Sequence, residues 1–189
     1  MTIRSNLHLA RRLVSVGICA VFAYASAQAY AGEAFAVASP GTADGGTLDA
    51  SHAASANNCG GGNVSPALQW QNAPAGTKSF AVTIFDPDGG KGLGIVHWIV
   101  YGIAPSTMGL AAGEAVPHGG VSGTNRTGGP GYYGPCPPVG EVPHHYIAQV
   151  YALDLPADAL PAGLKRDAFL AAIKDHVLAA TSTVLRYGR

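Results

Sequence analysis

Past residue 31 the alternation of apolar and polar positions predicts strands far more often than helices. Residues 80–85 set Phe80, Val82 and Ile84 on one face and Ala81, Thr83 and Phe85 on the other. Because both faces are largely apolar, this segment is expected to be a strand in the interior of a sheet. Residues 95–101 and 146–153 read as two more strong strands, 67–70 as a short one, and Phe35-Ala-Val37 as the start of an edge strand. Turns rich in Gly, Pro and Asn separate them, at residues 63–66, 72–76 and 87–94. Residues 104–131 carry the same punctuation and predict a long surface excursion. A helical period appears at 167–180, where Leu170, Ile173, Val177 and Leu178 form one apolar stripe. Strands separated by turns, with one late helix, argue against alternating βαβ units. They predict a mainly β chain, an antiparallel two-sheet β-sandwich with a C-terminal helix.

The first 31 residues follow another pattern. Arg4, Arg11 and Arg12 precede an apolar run at 13–25, and Ala27-Gln28-Ala29 and Ala29-Tyr30-Ala31 are small-residue patterns of the kind signal peptidase reads. The run is short for a bilayer span. Residues 1–31 therefore read as a signal peptide cleaved near 29 or 31. Residues 32–189 read as a single domain of a periplasmic or secreted bacterial protein, with no stable membrane insertion after cleavage. A composition that is 12% charged and 48% apolar suits a globular chain with a full core. Removing the leader takes three arginines and no acidic residue, so the basic-to-acidic balance moves from 11 against 11 to 8 against 11. That balance leaves no electrostatic footprint for nucleic acid. Cys19 goes with the leader. The remaining pair, Cys59 and Cys136, is expected to form a disulfide in an oxidising compartment, with two free thiols as the alternative.

The candidate chemistry lies in two stretches. In the first, the 80–85 strand delivers Asp86 ahead of Pro87, which fixes the next φ, and the following strand brings back His97 beside Trp98. Asp86 could equally cap its own turn, and His97 could be a core histidine. Together they can form a charge-assisted pair in a desolvated site. The intervening glycines do not form a nucleotide loop, because such a loop opens a helix and this one opens a strand. In the second stretch, prolines stiffen residues 134–140, and rigid non-helical backbone can present N–H groups to an anion. Strand alternation then places His144 and Tyr146 on one face and His145 on the other.

Asp86-Pro87-Asp88, His97-Trp98, Tyr132-Tyr133-Gly134-Pro135-Cys136-Pro137-Pro138-Val139-Gly140 and His144-His145-Tyr146 resemble the two signature regions of the phosphatidylethanolamine-binding protein family. The bacterial YbhB/YbcL, Raf-kinase-inhibitor-like branch is the nearer likeness, since residues 62–70 and 73–80 fit it as well. The resemblance implies a β-sandwich with a small preformed anion pocket at one end, associated with phosphate or phospholipid head groups. It implies a pocket built from Asp86, His97, Tyr132, the Gly134-Pro135 turn, His144 and Tyr146. One departure stands out: the family usually continues Asp-Pro-Asp with Ala-Pro, and this chain has Gly89-Gly90. A looser rim is expected there. Kinase binding belongs to other branches and is not carried over.

The expected function is non-catalytic binding of a small anion, a phosphate-bearing molecule or a phospholipid head group, with no cofactor. A homodimer is compatible with every feature above. Two alternatives remain open. One is an inhibitor or host-interaction protein acting through surface loops such as 104–131. The other is a metal-dependent hydrolase using Asp86, His97 and His144, although no His-x-x-x-His pair anchors one. A serine nucleophile elbow is missing, because Gly120-Val-Ser122-Gly lacks the second glycine at the required place.

Overall fold

The strongest alternating segments occupy the middle of a sheet. The computed structural model describes residues 33–189 apart from 115, 117 and 118, so the expected signal peptide lies outside the described residues. The elements are β1 (Ala36–Ala38), β2 (Gly46–Thr47), a 3₁₀ turn at Ala50–His52, β3 (Leu68–Gln71), β4 (Ser79–Asp86) and a short helical turn α1 (Gly89–Gly92). There follow β5 (Ile95–Ile103), β6 (Gly109–Leu110), β7 (Val121–Ser122), β8 (His144–Leu153), α2 (Arg166–Ile173) and β9 (Val177–Tyr187). A six-stranded sheet has the order β2-β9-β8-β4-β5-β7, and a three-stranded sheet has the order β1-β3-β6. All pairings are antiparallel except β2 with β9.

β4 lies between β5 and β8, in the interior position that its two apolar faces predict. Phe80, Val82 and Ile84 join Leu68, Trp70, Leu110 and the inward row of β8 in the core. Ala81 on the opposite face joins Ile99, Tyr101 and Leu153 beneath Phe169 and Ile173 of α2. The large sheet is therefore covered on both faces. Each large apolar side chain so buried contributes roughly 1.5–3 kcal/mol. The 104–131 excursion supplies β6, which completes the small sheet and buries Leu110, and β7, which pairs with β5.

The mainly β two-sheet class is as expected, and so is a helix late in the chain, but its extent differs. The helix ends at Ile173, and a turn closed by the His176 N–H on the Ile173 carbonyl leads into β9. Val177 and Leu178, placed by the helical stripe on a buried face, are exposed. Two forces override the stripe. Val177, Thr181, Thr183 and Val184 are β-branched and favour a pleated backbone, and the segment pairs along the whole of β8.

Candidate functional site

Three strands bring the polar groups together at one end of the sandwich. Along β4 the inward row Phe80, Val82, Ile84 continues to Asp86. On β8 the inward row runs His144, Tyr146, Ala148, Val150, and the pairing of Phe85 with Ile147 sets Asp86 against Tyr146 one residue further on. β5 contributes His97 by a different device. Ile84 pairs with Trp98, but Phe85 pairs with Val96, so His97 is the extra residue of a β-bulge. Simple alternation would turn His97 and Trp98 to opposite faces. The bulge re-aims the imidazole, which meets the Tyr146 ring edge-on with centroids 5.1 Å apart.

Asp86 divides its carboxylate. Oδ1 accepts the N–H groups of Asp88 and Gly89 at 2.9 and 2.8 Å, which is the turn-capping role. Oδ2 accepts from His144 Nδ1 at 2.9 Å and stands 3.8 Å from His97 Nε2. One oxygen thus serves the turn-capping role read from the sequence, while the charge-assisted pair expected with His97 is made with His144 on the other. Burial would push this carboxyl up, but His97, His144 and the Gly89 N–H outweigh it and hold it at about 2. Because His97 Nε2 lies beyond hydrogen-bond reach, the larger part of that lowering belongs to His144 and Gly89. His97 is oriented from behind: its Nδ1 lies 2.6 Å from the Tyr133 carbonyl, which only accepts, so Nδ1 carries a hydrogen.

His144 has its second nitrogen, Nε2, 3.4 Å from Glu141 Oε2. Burial would lower its pKa, but the Asp86 carboxylate, helped by Glu141 and Asp88, raises it above the ordinary imidazole value. Burial, with Asp86 second, pushes the Tyr146 hydroxyl up, so it stays a neutral donor. Tyr146 Oη and His97 Nε2 are both buried without a hydrogen-bond partner in the protein.

These four side chains, Asp86, His97, His144 and Tyr146, line a cavity of about 370 Å3. Its rim includes residues that sequence reasoning passed over: Lys91, Arg126 and Glu141, with Pro137 and Pro138 as a stiff wall. Arg126 comes from the 104–131 excursion and lies over the Tyr133 ring at 5.6 Å. Nothing in its Gly-rich surroundings marks it beforehand. The rim loop is anchored by Asp88, whose Oδ2 accepts from the His145 backbone at 2.7 Å and ring at 2.8 Å. Those bonds hold the Asp88 carboxyl below its usual range. His145 itself points outward, as alternation predicts. Gly90 has φ +61°, which proline cannot adopt, so the family's usual Ala-Pro is incompatible with this rim conformation.

Tyr132, Gly134 and Pro135 do not line the cavity. They stand one layer behind, where they tie its wall to the 52–63 segment. Tyr132 donates to the His52 carbonyl at 2.9 Å and packs edge-on against Trp98. The Gly134 N–H donates to Asn63 Oδ1 at 2.8 Å, and Asn63 Nδ2 donates back to the Tyr132 carbonyl at 3.1 Å. The Pro135 carbonyl accepts from Ala54 at 3.0 Å. A Cβ on Gly134 would lie 2.3 Å from the His52 carbonyl oxygen, so only glycine allows this approach. Cys59 and Cys136 are joined by a disulfide across the same seam, with Cα atoms 5.3 Å apart. Arg189 straddles it, donating from Nε to the Pro137 carbonyl at 2.8 Å and from Nη1 to the Asn58 carbonyl at 2.9 Å.

A larger concavity, about 870 Å3, lies along β1, β3 and β6. Its lining residues are all uncharged, and the charged side chains concentrate at the smaller cavity. Asp86, His97 and His144 do not form a metal-binding cluster, and none of three or more ligands exists among the described residues.

The sequence profile of the phosphatidylethanolamine-binding proteins matches residues 38–188. YbcL of Escherichia coli is 43% identical over 139 residues, covering 69% of this chain and 76% of that one. LppC of Mycobacterium tuberculosis, which its name describes as a candidate lipoprotein, is also 43% identical over 139 residues, or 71% of this chain and 65% of its own. The crystal structure of E. coli YbcL, described as a member of the mammalian PEBP family, superposes with a TM-score of 0.77 at 35% identity, over 82% of this chain and 98% of that one. A homologue from Chlamydia trachomatis gives 0.72 at 28% identity over the same shares.

Proposed function

The chain belongs to the phosphatidylethanolamine-binding protein family, and from that premise we propose that its cavity reversibly holds a phosphate-bearing small molecule or phospholipid head group without turning it over. The observation that carries this reading is the pair of buried groups without protein partners, Tyr146 Oη and His97 Nε2, beside the outward-facing Nε2 of His144. Buried polar groups of this kind need a partner. A phosphate supplies one to each: its charged oxygens accept from Tyr146 and protonated His144, and its P–OH donates to His97 or its P–O⁻ accepts from the protonated ring. Asp86 serves to orient His144 and to keep it charged, since direct contact with an anion would be repulsive.

Lys91 and Arg126 at the rim add positive charge where an anion enters. Export to an oxidising compartment fits the disulfide and the lipoprotein designation of LppC. Isothermal titration calorimetry with phosphate and phosphoethanolamine tests the binding. The wild type should bind, and His144→Ala and Tyr146→Phe should bind at least about tenfold more weakly, the cost of one charge-assisted hydrogen bond. Equal binding by wild type and both variants would sink the reading.

A further inference from the structure

Beside the cavity lies a groove of about 520 Å3 whose walls include Phe85, Ile95, Arg126, Lys165, Arg166 and Asp167. Ile95 and Arg126 line both spaces, so the groove adjoins the cavity. The groove carries three cations against one carboxylate. Arg166 lies over the Phe85 ring with its guanidinium carbon 4.2 Å from the centroid, and Arg126 lies over Tyr133. A guanidinium laid on an aromatic face is held in place while its N–H edge stays available for an oxyanion.

Among the described residues these donors make no side-chain hydrogen bond or ion pair. Every ion pair among the described residues has a histidine as its cation. The side-chain hydrogen bonds made there by guanidinium groups belong to Arg189. Arg126 is close enough to the cavity for its charge to act on Tyr146.

We propose that the groove is a second anion subsite, so that the ligand is a small molecule bearing two phosphate groups. The first phosphate lies over Tyr146 and His144, Arg126 bridges, and Lys165 with Arg166 takes the second. The inference rests on the phosphate reading of the cavity and extends it: a lone phosphate would leave the groove idle. Two phosphates on one molecule can come from a soluble metabolite or from a lipid head group.

The test is calorimetry at about 0.15 M salt, where loose surface attraction is screened, with inorganic phosphate and hexane-1,6-diol bisphosphate as probes. The wild type should bind the bisphosphate about tenfold or more tightly than phosphate. In Lys165→Gln/Arg166→Gln that advantage should vanish, while phosphate binding stays within about twofold of wild type. Phosphate binding with no bisphosphate advantage, or an advantage that survives the double substitution, would overturn the groove and leave the cavity reading standing. Binding of neither probe would overturn both. Co-sedimentation with vesicles containing cardiolipin, whose head group bears two phosphates, identifies a lipid source if capture is lost in the double variant. Failure to sediment alongside tight bisphosphate binding assigns a soluble one.

Discussion

His144 places Nδ1 on the Asp86 carboxylate at 2.9 Å and leaves Nε2 directed toward the cavity mouth. One carboxylate therefore orients both its own turn and the imidazole, and for the imidazole it also favours the charged state.

Anion binding should be pH-dependent in a direction set by this pair. The pKa of His144 is raised, so its charge is fully present below the ordinary imidazole value of about 6.5 and is lost as pH rises through the higher folded value. Sulfate, whose own charge is constant over this range, should bind well at about pH 6 and roughly tenfold or more weakly once His144 is neutral. Asp86→Asn should move that midpoint down. Sulfate affinity that is flat with pH, measured by calorimetry, would remove His144 from the site. Stability follows the opposite course. The Asp86 pKa is depressed from 3.8 to about 2, so its contribution is present above the unfolded value and lost as pH falls toward the folded one. That contribution is on the order of 1–2 kcal/mol, allowing for water at the cavity.

Glu141 competes with any anion for His144. Its exposed carboxylate lies 3.4 Å from Nε2, where an oxyanion would approach. Glu141→Gln should therefore tighten phosphate or sulfate binding by about threefold to tenfold, the worth of removing one partly screened like charge. Equal or weaker binding of these anions in this variant would show that Glu141 does not compete for His144.

The disulfide should support both the fold and the site. Cys59 and Cys136 are 77 residues apart, and closing such a loop contributes about 4–5 kcal/mol in the chain-entropy model. Cys59→Ser/Cys136→Ser should lower the urea midpoint accordingly. Because Cys136, Pro137 and Pro138 line the cavity, it should also weaken anion binding in the still-folded protein. Unchanged affinity would show that Asn63 and Arg189 hold the wall without the disulfide.

The sequence showed parts of this site clearly and others not at all, for physical reasons. Period-two alternation placed Phe80, Val82 and Ile84 on one face and put His144 with Tyr146, because strands β4 and β8 are regular where it matters. His97 escaped that rule because a bulge, not alternation, aims it. Arg126 escaped because its position depends on where a Gly-rich excursion lands. Tyr132, Gly134 and Pro135 belong to the expected stretch, yet their polar groups are turned to His52, Asn63 and Ala54, distant contacts that no local pattern encodes. The first residues of β9, 177–180, fall within the predicted helix because an apolar stripe and an alternating strand are hard to separate over a few residues.

β9 also sets the order in which the site can come into being. Residues 177–187 lie between β2 and β8, with Tyr187 opposite His144 and Leu185 opposite Tyr146. A chain delivered from its N-terminus, by a ribosome or through a translocation channel, has β8 open along one side until those residues emerge. For that interval β8 is an unprotected edge that can recruit a stranger's strand. Asp86, His144 and Tyr146 therefore acquire their full set of neighbours only when this late strand slots home against β8.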